Sequence, residues 1–340
     1  MTPRPVFLSH PSSLDHDTGG HPESVQRLLA LHAELERHDY LGYERADSPL
    51  AQRRVLERVH PGAYIDSIAE FAAAGGGELD ADTIVSPGSY LAALHAAGGA
   101  VELVERIVSG GAGAVGFSAH RPPGHHALPG RAMGFCLFNN IAIAARHAID
   151  ELGLERVLVL DWDVHHGNGT SDIFWEDGQV LFISLHQWPL YPGSGRASDV
   201  GRGHGHGATI NIPVPPGTGD DAYVSLLRDV VAPVARIFCP QLILISAGYD
   251  AHLEDPLADC AVTDAGYAAM AALMRGIAQE LGVGIGCVLE GGYAVHALAR
   301  SVAATMSSLL PVQAPDLGPS VHPLAVDALV RLREFWPSLG

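Results

Sequence analysis

Five short apolar runs in this chain share one kind of ending. They are "AVGFS" (114–118), "RVLVL" (156–160), "VLFISL" (180–185), "QLILIS" (241–246) and "GIGCVL" (284–289). Each gives way at once to polar residues: "AHRPPGHH", "DWDVHHGNG", His186, "AGYDAH" and "EGGY" in turn. Short runs rich in Val, Ile and Leu and bounded by turn residues read as strands buried on both faces. Between them, apolar residues recur at three- and four-residue spacing over 89–109, 139–152, 220–238 and 264–281, which predicts helices. Asn or Asp starts several of these stretches and Gly follows several ends. The alternation predicts an α/β fold: a parallel sheet flanked by helices on both faces, in a single domain over 1–340. In open sheets of this kind ligands bind outside the carboxyl ends of the strands, so His, Asp and Tyr are delivered to one edge. Polar residues with purely structural roles would scatter over both edges.

Composition narrows the class. A hydrophobic fraction of 47% over 340 residues is ample for a buried core. The formal net charge of −18 argues against a nucleic-acid backbone as main partner. The cysteines at 136, 239, 260 and 287 form no CxxC pair, which argues against a zinc ribbon and a secreted disulfide scaffold. No apolar stretch approaches the length of a membrane span, and the first residues carry no signal-peptide pattern, so a cytoplasmic protein is expected.

"DWDVHHGNGT" (161–170) is the densest segment. Asp161, Asp163 and His165 stand at i, i+2 and i+4, one face of an extended segment, and Asp250 and His252 repeat that spacing. Carboxylate oxygens and imidazole nitrogens suit zinc, and a catalytic zinc keeps three protein ligands and an open position. Gly167 and His252 occupy places where further aspartates would continue the two patterns, which favours one ion over two. At this level His252 rivals Asp250 as a ligand. "PPGHH" (122–126) adds two adjacent histidines, fit for proton transfer with the attacking water, each needing an orienting partner; Asp161 and Asn168 are free for that if Asp163 and His165 hold the metal. Tyr293, after two glycines, can donate to a developing oxyanion. Together these parts describe metal-assisted hydrolysis of a carbonyl compound, an amide in the first place.

The motifs "GGHPESVQRL" (19–28), "RPPGHHA", "GFCLFNN", "DWDVHHGNGT", "PPGTGDDAY" (215–223), "SAGYDAH" and "LEGGY" together resemble the zinc-dependent histone deacetylase family, with its arginase–deacetylase fold. The tryptophan in "DWDVHHGNG", Asn168 and "PPGTGD" are similar to the class II branch and its bacterial deacetylase-like amidohydrolases. The resemblance implies Asp163, His165 and Asp250 as zinc ligands. It implies His125 and His126 as the paired histidines, with His126 the general base and acid, Asp161 orienting His125 and Asn168 paired with His126. Asn168 replaces an aspartate found in class I members. Tyr293 matches the transition-state tyrosine. Gly134, Phe135 and Tyr191 match the substrate tunnel, with Tyr191 where phenylalanine is usual, and Leu257 matches a gatekeeper at its mouth. A structural potassium ion is implied at Asp161, Asp163, His165, Ser184 and Leu185.

The expected activity is removal of acetyl or another short acyl group from lysine-like amines, with no nucleic-acid or membrane partner and a homo-oligomer possible in this family. Two alternatives stand beside it: an acetylpolyamine amidohydrolase, and a non-catalytic module that binds acetylated ligands. Leu257 argues against the first, because polyamine-specific relatives carry glutamate there. The filled set of catalytic positions argues against the second.

Overall fold

The computed structural model describes residues 4–310 and 320–339. Eight strands form one sheet: β1 (Val6–Ser9), β2 (Glu44–Asp47), β3 (Val115–Ser118), β4 (Val157–Asp161), β5 (Val180–Gln187), β6 (Thr209–Val214), β7 (Leu242–Ala247) and β8 (Gly284–Leu289). Their order is β2-β1-β3-β8-β7-β4-β5-β6 and every pairing is parallel.

Alternation along each strand builds two cores. Val157 and Val159 of β4 and Leu242 and Leu244 of β7 face one side, against helices Gly62–Ala73, Ser89–Gly110 and Asn140–Asp150. Leu158 and Leu160, with Ile243 and Ile245, face the other side, against helices Val25–Glu36, Asp264–Leu281 and Val295–Leu309. All five expected strands are present. The helix expected over 264–281 has those bounds because the Thr263 hydroxyl accepts the Gly266 N–H at its start, and Gly282, at φ +69°, ends it in the left-handed region. The segment 220–238 is helical throughout, with a π-turn at Leu227–Val231.

Helix Asn140–Asp150 shows how the fold reaches the site. Its cap, Asn139, accepts the Ala142 N–H at 3.1 Å, while its amide donates to the carbonyls of His125 and Ala127 at 3.4 and 3.2 Å. One side chain thus starts a helix and holds the loop after β3.

Two buried histidines tie this framework to pH. The His60 Nε2 accepts the Asn139 N–H at 2.9 Å, and His120 sits between the hydroxyls of Ser48 and Ser118. Burial pushes His60 down to about 4, and burial reinforced by His95 and His10 pushes His120 down to about 3. Both stay neutral in the folded chain while the unfolded chain titrates near 6.5. Their contribution is complete above that pH and is lost as pH falls from 6.5 toward 4. His120→Gln is expected to flatten the urea-unfolding free energy between about pH 6 and 5 by roughly 1.4 kcal/mol per pH unit, one proton's share. An unchanged slope would show that His120 takes up protons in the folded state.

Candidate active site and metal centre

Adjacent strands carry the functional side chains, and their order across the sheet sets the order in the site. From β3 outward come His125 and His126; from β8, Glu290 and Tyr293; from β7, Asp250; from β4, Asp161 through Asn168; and after β5, Tyr191.

Asp163, His165 and Asp250 offer ligand atoms that all lie within 4.8 Å of one another, and all three residues are buried. Among the described residues this is the one such group of three or more His, Cys, Asp or Glu. The His165 Nδ1 lies 3.1 Å from Asp163 Oδ1 and 3.1 Å from Asp250 Oδ2. The remaining carboxylate oxygens are held by backbone: Asp250 Oδ1 accepts the Val164 N–H and Asp163 Oδ2 the Gly291 N–H, both at 2.9 Å. Two glycines leave room for them. A Cβ at Gly248 would stand 2.1 Å from Asp163 Oδ2, and one at Gly291 would stand 2.1 Å from Asp250 Oδ2.

The electrostatics fit a cation. Burial opposes charge on His165, yet the two carboxylates outweigh it and lift the imidazole to about 10. A positive charge is thus favoured where the three ligand atoms meet, and a metal ion held by these residues would take the place of that proton. His252 takes no part. Its Nε2 lies 3.3 Å from Asp264 Oδ1 and its Nδ1 accepts the Glu254 N–H. The geometry therefore groups Asp250, and not His252, with Asp163 and His165.

The paired histidines lie beside this cluster. His125 Nδ1–H donates to Asp161 Oδ2 at 3.0 Å, and His126 Nδ1–H donates to Asn168 Oδ1 at 2.7 Å. Burial disfavours charge on both. On His125, Asp163 and Asp161 outweigh it and hold the imidazole well above its ordinary value. On His126, burial is reinforced by the neighbouring His125 and His165 charges, and the ring stays well below the ordinary value. His126 is therefore the neutral member, with Nε2 free to accept a proton.

Phe135 and Tyr191 stand over these groups. The Phe135 ring meets Tyr293 edge-on at 5.6 Å, and Tyr191 meets His126 edge-on at 5.3 Å. Tyr191 is 38% exposed and so lies at the open side. Gly134, at φ +57°, runs so close that a Cβ would stand 2.4 Å from His126 Cδ2. Phe135 follows at φ +69°, uncommon for a bulky residue, with its N–H donating to Thr83 Oγ1. Leu257 is half-buried and is linked to the site through backbone: Asp255 binds its N–H and that of Tyr293. Asp161 and Ser184 are register partners on β4 and β5. The Ser184 hydroxyl lies 2.9 Å from His186 Nδ1, and Asp161 Oδ1 accepts the Asp163 N–H.

Several supporting residues carried no signal in the sequence. Glu290, fully buried, accepts the N–H groups of Gly124 and His125 and the Ser246 hydroxyl. Arg27 places its guanidinium 5.1 Å from the Tyr293 ring centre and donates to the Gly292 carbonyl at 2.7 Å. Glu23 holds Arg27 and Arg121 together in the same buried cluster. "EGGY" and "GGHPESVQRL" contain these residues, but a buried charge looks like a surface charge until its partners are known.

The histone deacetylase domain family matches residues 21–309. The chain is 40% identical over 324 residues to histone deacetylase 14, chloroplastic, of Arabidopsis thaliana, covering 90% of this chain and 76% of that protein. It is 41% identical over 277 residues to a histone deacetylase-like amidohydrolase of Pseudomonas aeruginosa, covering 81% and 73%. A probable deacetylase of Archaeoglobus fulgidus is 40% identical over 295 residues, covering 85% and 81%. The crystal structure of the HDA15 HD domain superposes with a TM-score of 0.91 at 36% identity, covering 100% of this chain and 97% of that one. The chain belongs to the histone deacetylase family and has its arginase–deacetylase fold. It is an enzyme of the deacetylase class, a family in which zinc dependence is general.

Proposed function

We propose that the chain is a zinc-dependent amidohydrolase that removes acetyl or a similarly short acyl group from lysine-like amines. The observation that carries this reading is the convergence of Asp163, His165 and Asp250 beside a neutral His126 oriented by Asn168. A zinc ion held by those three ligands would polarise the amide carbonyl and make an adjacent water more acidic. His126 Nε2 accepts the proton of the attacking water, with Asn168 fixing its tautomer. His125, paired with Asp161, stands on the same side of the site. Tyr293 donates its phenol hydrogen to the oxygen that gains charge, and His126 then returns a proton to the departing amine. Phe135 and Tyr191 exclude water from the acyl chain. The potassium ion at Asp161, Asp163, His165, Ser184 and Leu185 belongs to the same proposal.

The test is turnover of an acetyl-lysine peptide, abolished by a chelator and restored by Zn²⁺, with one metal ion per chain. Tight binding of the acetylated peptide without turnover would favour the non-catalytic module.

Substrate choice rests on Leu257. An apolar rim residue suits the aliphatic stem of acyl-lysine, whereas a carboxylate would pair with the second ammonium of an acylated polyamine. Leu257→Glu is expected to move the kcat/KM ratio toward acetylpolyamines about tenfold, the equivalent of roughly 1.4 kcal/mol. Wild-type turnover of acetylspermidine well above that of acetyl-lysine would overturn the preference.

A further inference from the structure

Asp255 lies five residues beyond Asp250, on the turn that leads to Leu257, and is 7% exposed. Its Oδ2 accepts the backbone N–H of Tyr293 at 2.6 Å and of Ala294 at 3.1 Å. Its Oδ1 accepts the backbone N–H of Leu257 at 3.0 Å. One carboxylate thus gathers three backbone donors from two loops, one loop carrying the phenol and the other the rim residue.

The Tyr293 loop needs such an anchor. Gly291 and Gly292 precede the tyrosine without side chains to pack, and Gly292 stands at φ +117°, a conformation that L side chains rarely adopt. Upstream, the Gly291 N–H is tied to Asp163 and the Gly292 carbonyl to Arg27. At the tyrosine itself the backbone tie is Asp255. The phenol lies several bonds from that amide, so a small shift of the amide displaces the hydroxyl within the site.

We propose that Asp255 is a positioning residue: it sets the reach of the Tyr293 hydroxyl and couples that setting to the rim at Leu257. The proposal rests on the deacetylase reading above for its kinetic test. Burial and the Asp250 charge push this carboxyl up to about 7; in its ionised form it is acceptor-only and takes several N–H groups at once. An asparagine of the same shape must turn an NH₂ toward one of those donors, which frees part of the loop without opening a cavity.

Asp255→Asn is expected to lower kcat about 10- to 100-fold, the scale of a misplacement near 1 Å, with KM for an acetyl-lysine peptide changed by less than about twofold. Metal content per chain stays at the wild-type value. The deciding measurement is a double-mutant cycle with Tyr293→Phe. If Asp255 acts through the phenol, adding Asp255→Asn to Tyr293→Phe costs less than about a further twofold. Multiplying losses, an unchanged kcat in the single variant, or loss of metal would each overturn the proposal. If Asp255→Asn does not fold, amide hydrogen exchange on the wild-type protein decides. The Tyr293 and Ala294 amides are expected to be protected like those of β8, and exchange at open-loop rates would overturn the anchor. Exchange does not depend on turnover, so an inactive wild-type protein with protected amides would count against the deacetylase reading and leave the anchor standing.

Discussion

Asp250→Ala is expected to empty the metal centre and take activity down more than about 100-fold, beyond the range usual for outer partners of a ligand. His165→Ala is expected to do the same. The carboxylate of Asp250 lies 3.1 Å from His165 Nδ1, and among the described residues no other His, Cys, Asp or Glu joins this group. Without it two ligands remain and the charge that draws a cation falls by one. His252→Ala is the control. Its ring faces Asp264 and the Glu254 amide, so its loss costs the buried hydrogen bonds, about 1–3 kcal/mol of stability, and leaves the metal in place. Metal analysis of the three purified variants checks the assignment. An empty site in His252→Ala with a full one in Asp250→Ala would reverse it.

Tyr293→Phe is expected to keep fold and metal while losing about 10²–10³ in kcat, the scale of one oxyanion donor. Burial, reinforced by the Asp250 carboxylate, raises the phenol well above its ordinary value, so it remains a protonated donor across the working pH range. The ring itself is held edge-on to Phe135 and near Arg27, contacts that phenylalanine retains. The loss therefore isolates the hydroxyl. A rate near wild type on an acetyl-lysine peptide would remove Tyr293 from the chemistry.

The central strands and their polar ends were legible because a strand buried on both faces must be apolar throughout, so its first polar residue marks the sheet edge. β2 and β6 were not, for a physical reason: they are the outermost strands. "ERAD" is mostly exposed, and "TINIPV" carries a proline that an edge strand tolerates. β1 was not read either, although its four residues match β3 in length. The metal and histidine residues were legible from spacing and family resemblance combined; spacing alone left Asp250 and His252 equal, and the direction of the His252 ring distinguishes them. Asp255 and Glu290 were invisible as functional residues because their partners are backbone amides, and a sequence does not say which amide a carboxylate will meet. Phe135 at φ +69° gave no warning either, since nothing in "GFC" distinguishes a left-handed phenylalanine from an ordinary one.

The last strand of the sheet in sequence is not last in space. β8 lies between β3 and β7, with β1, β2 and β3 on one side and β4 through β7 on the other. A chain emerging from the ribosome can assemble two partial sheets, each with a bare inner edge of unpaired amides and carbonyls. Residues 284–289 supply the strand that pairs with both edges, and the same segment leads into Glu290, which binds the His125 loop, and into Tyr293. The strand that closes the sheet is thus also the one that leads into Glu290 and Tyr293. A chain halted before residue 284 would contain Asp163, His165 and Asp250 but lack Tyr293, and it would leave the inner edges of β3 and β7 unpaired.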